Sequence, residues 1–205
     1  EVLSGGKYVL QATDILKVLE MAKSENINLV LWEANEGHMV AEEISKAEVP
    51  VIMDPLNNIP GSFDSLNATY ENVTRLHSAG VKLAFYYDQS SGAHNAYLAT
   101  QSAGNAVALG VSYNEALASV TSNPAEIFDI KNVGVIAIGY DADLTIVDMN
   151  KEVIIKNEMI ASKCGWTPFH NYKVKGFPVG TIINGTLVMA DGKLIVESKG
   201  KPLSF

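Results

Sequence analysis

The sequence predicts an α/β fold that gives way to a small β-sheet domain, and three observations carry that expectation. Apolar runs recur through the first 130 residues at about 25-residue spacing, each followed by a helical stretch, as strand–helix units of a parallel sheet do. Runs such as INLVLW (27–32) are nearly continuous rather than alternating, as expected for strands covered on both faces. Beyond residue 140 the helical patterns give way to β-branched runs, broken by the hairpin dipeptides Asn184-Gly185 and Asp191-Gly192.

In chain order, YVL (8–10) is the first short apolar run. Thr13 or Asp14 can cap the helix after it, whose apolar face is Ile15, Leu16, Val18, Leu19 and Ala22. INLVLW is the next strand, and a helix over 36–46 turns Val40, Ala41 and Ile44 inward. VPVIMD (49–54) is another buried strand. After the loop PLNNIPGS (55–62) a long helix is expected over 63–78, stopped by Gly80. VKLAFYYD (81–88) is the fourth strand, and helical stretches occupy 95–110 and 113–120. Ser122, Asn123 and Pro124 read as a helix start, a capping side chain just ahead of a proline that needs no N–H. DADLTIVD, KEVIIKN and VGTIINGTLVMADGKLIV then supply the small sheet. Four parallel strands with their helices are half of an eight-stranded barrel. A complete doubly wound four-strand sheet fits the same units.

Composition narrows the function classes. With 47% hydrophobic and 19% charged residues the chain has ample material for a core. No apolar run reaches the roughly 18 residues that cross a bilayer, so no membrane partner is expected. EVLSGGKYVL lacks a basic start followed by a long apolar stretch, so no targeting signal is read. The net charge is −8 and Arg75 is the sole arginine. Phosphate recognition leans on arginine forks and basic patches, so nucleic acid is not an expected partner. Residues 1–130 carry 6 basic and 16 acidic side chains, against 9 and 7 in 131–205, a shift that fits a domain boundary near residue 130. Cys164 stands alone, which leaves no intrachain disulfide and no thiolate cluster. The compartment stays open between cytoplasmic and periplasmic or secreted.

The wording of TSNPAEIFDIKNVGVIAIGYDADLTIVD (121–148) resembles the segment that closes the barrel of amidohydrolase-superfamily enzymes and leads into their small β-domain. Residues 7–120, through DPLNNIPGSFDSL (54–66) and AHNAYLATQSAGNAVALGVSYNEAL (93–117), resemble the second half of an imidazolonepropionase-like amidohydrolase. Residues 124–205, through NPAEIF, GYDADLTIVD and IASKCGWTPFHNYKVKGFPVGTIINGTLVMADGKL, resemble the C-terminus of a dihydroorotase. The resemblance implies the C-terminal half of a (β/α)8 TIM-type barrel, strands five to eight with their helices, plus a small C-terminal β-sheet domain. It also implies a hydrolase of C–N bonds in a small cyclic amide, using a divalent metal, zinc by type.

Such an enzyme uses one or two metal ions to acidify a water and polarise the scissile carbonyl. The family's ligands are a His-x-His pair on strand one, a bridging residue on strand four, a histidine on each of strands five and six, and an aspartate on strand eight. Strands one to four have no counterpart in this sequence. By the resemblance, the strand-five position falls near Tyr8 or Leu10, neither a zinc ligand by type. The strand-six position falls at Glu33, a carboxylate that can ligate a metal. The strand-eight aspartate falls at Asp88, where it would be metal ligand and proton shuttle for the attacking water. A solvated or helix-capping aspartate is the alternative for Asp88.

Asp54, which ends its strand, and Asn58 just beyond are candidate substrate contacts at the rim where barrel enzymes place their sites. Asp-Pro and Asn-Asn are also ordinary turn chemistry. His94, in the loop after the fourth strand, can reach the same rim. His38 reads as a surface residue on a helix, His77 as an imidazole at a helix C-terminus favoured by the dipole, and His170 as a loop residue. Cys164 has no basic neighbour in sequence, so a catalytic thiol is not expected; Trp166 and Phe169 read as packing residues. At most one recognisable ligand remains, so little or no activity is expected of these residues alone. A half-barrel also exposes two strand edges and an apolar face, so association with the missing barrel half, as a homo-oligomer, or with another chain is expected. The alternative is a non-catalytic barrel module, its metal ligands lost, acting as a scaffold or binding partner.

Overall fold

The structure is a computed structural model and describes residues 11–87, 98–160 and 162–196, without the side chain of Asp64. The chain divides into two compact units, the first running through Val135 and the second starting at Ile136. The first unit alternates helix and strand: α1 (Ala12–Glu25), β1 (Leu31–Trp32), α2 (Ala41–Lys46), β2 (Val51–Met53), α3 (Glu71–Ser78) and β3 (Leu83–Phe85), then α4 (Ala99–Ala108), α5 (Tyr113–Ala118) and α6 (Ser122–Ile127). The strands are parallel in the order β1-β2-β3, with Leu31 opposite Val51 and Val51 opposite Leu83. The expected strand over 8–10 lies outside the described residues.

Alternation along these strands decides what each face holds. Leu29, Leu31, Val51, Met53, Leu83 and Phe85 pack with Ile15, Leu19 and Ala22 of α1, Ala41 and Ile44 of α2, Val73 and Leu76 of α3, and Ala103 and Ala106 of α4. The even positions Val30, Ile52 and Ala84 form a separate buried cluster, joined by Tyr86 and Ile127. So α1 to α4 all lie against one face of the sheet. Each fully buried Leu or Ile in the larger cluster stabilises the fold by about 1.5–3 kcal/mol.

Three helix expectations change for local reasons. The N-terminus of α1 is capped by neither Thr13 nor Asp14. The backbone N–H of Ala12 donates to Glu36 Oε2 at 3.1 Å, a carboxylate at a helix start supplied from 24 residues away. The single helix expected over 63–78 is a 3-10 turn (Phe63–Ser65) followed by α3, because the side chain of Asn67 turns to Glu36 and Thr69 Oγ1 accepts the N–H of Glu71. The helix over 36–46 likewise splits into a 3-10 turn (Gly37–Met39) and α2.

The sheet edge at β3 also departs from the sequence reading, which left it open. Leu83 C=O accepts from Asn123 Nδ2 at 2.8 Å, and Phe85 N–H donates to Ser119 C=O at 2.8 Å. Leu83 and Phe85 are the β3 residues whose main chain points away from β2, so the α5–α6 junction and the first turn of α6 stand where a further strand would pair. Asn123, expected as a helix cap, is spent on this edge and on Glu115 Oε1 at 3.0 Å.

The second unit is an antiparallel sheet in the order β4 (Leu144–Ile154), β5 (Lys173–Ile183), β6 (Thr186–Ala190), β7 (Lys193–Leu194). DADLTIVD and KEVIIKN merge into the single strand β4, irregular between Asp148 and Glu152, where Asp148 Oδ1 accepts the N–H groups of Asn150 and Lys151. Both hairpin dipeptides are turns of two left-handed residues, with φ of 47° and 73° at Asn184 and Gly185 and of 47° and 76° at Asp191 and Gly192. His170 Nδ1 accepts the N–H of Asn157 at 3.0 Å, and Asn157 Oδ1 accepts the N–H of Thr167, so this histidine fastens a loop. Phe169 meets Tyr172 edge-on, ring centroids 6.2 Å apart.

Removing the β3 edge cover has a measurable cost. Asn123→Ala is expected to lower stability by about 1–3 kcal/mol in urea denaturation, and to increase self-association in size-exclusion chromatography as the strand edge opens.

Candidate functional site

The site begins where β1 ends. Glu33 and Ala34 are consecutive non-glycine residues at positive φ, 70° and 39°. A left-handed L-residue costs about 1–2 kcal/mol, so two in succession need outside support. Glu33 N–H donates to Ile52 C=O at 2.8 Å. Ala34 C=O accepts from Gly37 N–H at 2.7 Å and from Asn72 Nδ2 at 2.9 Å, and Asn72 Oδ1 accepts the N–H of His38 at 2.7 Å. Asn72 lies on α3 and is fully buried. Glu36, also buried, ties the same loop to Ala12 and to Asn67 Nδ2 at 3.1 Å. The loop from Glu33 to Val40 is thus fastened to α1 and to α3.

This reversal breaks the strand alternation at a chemically useful place. As an odd position, Glu33 would follow Leu31 toward the helices. Its carboxylate instead meets Tyr86, which belongs to the opposite face, and the Tyr86 hydroxyl donates to Glu33 Oε1. Trp32 stacks on Tyr86, ring centroids 4.6 Å apart and planes tilted by 38°. Trp32 is 41% exposed. At the end of β2, Asp54 is buried; its Oδ1 accepts the N–H of Leu56 at 3.0 Å, and its C=O accepts that of Asn57 at 3.1 Å. Asn58 is 1% exposed, and neither its amide oxygen nor its amide nitrogen has a hydrogen-bond partner. A buried carboxamide left unpaired costs a few kcal/mol unless something pairs it.

Of the sequence candidates, Glu33 and Asp54 directly follow the neighbouring strands β1 and β2, and Asn58 lies in the loop after β2. Asp88 and His94 fall outside the described residues. Tyr86 was missed, although it stands near the end of the apolar run VKLAFYYD, where strand-end side chains are candidates for a site. His38, expected at the surface, is half-buried in the 3-10 turn, and its buried Nδ1 has no hydrogen-bond partner. Burial first, and the positive charge of Arg75 second, hold its imidazole below its ordinary pKa. Cys164 is exposed, beside the Ser162 hydroxyl at 3.2 Å. Among the described residues no three of His, Cys, Asp and Glu come together as a metal would require. Glu33 is one carboxylate whose Oε1 is engaged by a phenol, so the described donor set does not by itself fit a metal centre.

Two stability measurements test the loop. Asn72→Ala strips the His38 N–H of its acceptor and the Ala34 carbonyl of one of its two donors, and should cost about 1–3 kcal/mol in urea denaturation. Folding favours neutral His38, so its contribution is complete above an ordinary pKa of about 6.5 and is lost as pH falls through the lower folded value. Stability measured from pH 7 down to pH 5 should therefore fall less steeply in His38→Gln than in the parent.

Comparison with known proteins supplies the family. Residues 5–188 match the model of the amidohydrolase family. A dihydroorotase of Pyrococcus horikoshii is 46% identical over 85 residues, 42% of this chain and 20% of that protein. An allantoinase of Desulfitobacterium hafniense is 38% identical over 78 residues, 38% of this chain and 17% of that one. These matches thus span about a fifth of the curated relatives' length. Among solved structures, an amidohydrolase from Thermotoga maritima superposes with a TM-score of 0.64 at 24% identity, over 89% of this chain and 42% of its own. A D-hydantoinase from Thermus superposes with a TM-score of 0.57 at 12% identity, over 91% of this chain and 50% of its own; at these identities the likeness concerns the fold. With most of its length matched by the family model and its mixed α/β fold shared with those structures, the chain belongs to the amidohydrolase family.

Proposed function

We propose that residues 1–130 are the C-terminal half of a (β/α)8 barrel, that 131–205 are strands of its small β-domain, and that the intact protein hydrolyses the C–N bond of a cyclic amide. The observation that carries this reading is the packing of α1 to α4 on one face of a sheet whose parallel strands run in sequential order. A doubly wound sheet would reverse its strand order and put helices on both faces. In a barrel the other face is the interior, and the strand ends and loop bearing Glu33, Asp54 and Asn58 form the rim that carries chemistry. Dihydroorotase, allantoinase and hydantoinase relatives support a cyclic amide as substrate. The imidazolonepropionase-like wording of the first unit belongs to the same reading.

Family members are generally metal-dependent, and a divalent ion, zinc by type, is the proposed cofactor of the assembled enzyme. Glu33 and Asp88 are its proposed ligands in this chain, Asp88 also acting catalytically, with Asp54, Asn58 and His94 as substrate contacts. The other ligands would come from the missing barrel half, so these residues alone are proposed to have little activity. The bond from Tyr86 to Glu33 favours a second reading, a non-catalytic barrel module that binds a ligand where its relatives hold a metal.

Zinc calorimetry and hydrolysis of dihydroorotate and hydantoin decide between the two. For the first reading, the chain should be inactive alone. It should take up one zinc and become active when mixed with a barrel half supplying strands one to four, and lose both properties in Asp88→Asn. Assembly with that half and no zinc uptake would reject the hydrolase reading.

A further inference from the structure

We propose that the groove between α1 and α2 is the surface through which two copies of this chain pair, α1 of each copy seated antiparallel in the groove of the other. The groove has a volume of about 620 Å3 and runs beside the C-terminal ends of both helices. It reaches Ile27 and Val49, which lead into β1 and β2, and so lies at the end of the sheet opposite Glu33 and Asp54. The pairing therefore holds whether the chain hydrolyses or only binds.

The groove has an apolar floor and a polarised rim. Leu19, Ala22 and Val49 on the floor are buried, and Leu16 on the α1 wall is 41% exposed. Each wall carries a glutamate followed three residues later by a lysine, Glu20 and Lys23 on α1, Glu43 and Lys46 on α2. Both helices cover one face of a parallel sheet and lead into its strands, so they run in the same direction. The two lysines accordingly lie toward the helix C-termini, and the two glutamates about one turn before them. Lys46 bonds Glu42 at 3.3 Å, while among the described residues Glu20, Lys23 and Glu43 have no ion-pair partner.

Such a groove complements its own wall reversed. An antiparallel α1 brings its Glu20 to the lysine end and its Lys23 to the glutamate end, and a two-fold axis repeats both contacts. With Glu20 of one copy opposite Lys23 of the other, the same register sets Leu16 opposite Ile27, so the half-exposed leucine gains an apolar cover. A parallel α1 would bring like charges together at both ends. Exposed ion pairs add little affinity, so the charges choose direction and register while burial of Leu16 over the floor drives association.

Sedimentation velocity tests the pairing, and the parent chain should be dimeric at about 100 µM, where an interface of micromolar Kd is filled. Glu20→Lys with Glu43→Lys makes the rim all basic, and Lys23→Glu with Lys46→Glu makes it all acidic. Each double variant should dimerise at least tenfold more weakly than the parent. An equimolar mixture of the two, one of them fluorescently labelled, should form a one-to-one heterodimer. Leu16→Gln added to both should weaken that heterodimer at least tenfold although every charge remains, which a purely electrostatic attraction would not show. Thermal unfolding of each variant establishes that it is folded. A monomeric parent, or association undiminished in both double variants, as open strand edges would give, overturns the proposal. So does a mixture that stays monomeric, or a heterodimer indifferent to Leu16→Gln.

Discussion

The way the chain leaves β1 constrains everything at the C-terminal end of the parallel sheet. A strand followed by an ordinary turn would send Glu33 toward the helix-covered face, among Leu31, Val51 and Leu83. Two left-handed residues send it the other way, to the face of Trp32 and Tyr86. That conformation is unfavourable for residues with a Cβ, and it persists because the surroundings over-determine it. Asn72 holds the Ala34 carbonyl from beneath, and Glu36 holds the loop to the start of α1 and to Asn67. The helices on one face thereby decide which side chain is presented on the other.

Much of the fold was legible because it rests on local patterns. The runs at 27–32, 49–54 and 81–88 are the apolar blocks that a buried parallel strand requires, and each contains an observed strand. Asn184-Gly185 and Asp191-Gly192 name their own turns, since few residue pairs accept two consecutive positive φ values. What the sequence hid depends on partners distant along the chain. Nothing near Ala12 announces that its helix will be capped by Glu36, and nothing near Asn123 announces that its amide will cover the edge of β3. The break in the helix expected over 63–78 has the same origin, because Asn67 is drawn to Glu36 rather than to its own helix.

The candidate site was legible in part, for a related reason. Glu33, Asp54 and Asn58 could be named because strand ends and polar turn residues are visible in one dimension. Tyr86 could not be tied to Glu33 in advance, since 53 residues separate them and the link depends on a backbone reversal that the sequence ANEG does not display. The covered edge of β3 bears on the family relationship as well. In a complete barrel that edge would pair with another strand. In this chain Ser119 and Asn123 satisfy it, so a partner supplying a strand there must displace two hydrogen bonds.

The central claim is that Glu33 is turned out of the strand pattern to pair with Tyr86. A double-mutant cycle on Glu33→Gln and Tyr86→Phe, read by urea denaturation, tests it most directly. A coupling of about 1.5–3 kcal/mol between the two positions is the predicted result. Costs that add to within about 0.3 kcal/mol would mean that the two side chains do not meet in solution, and would contradict the account.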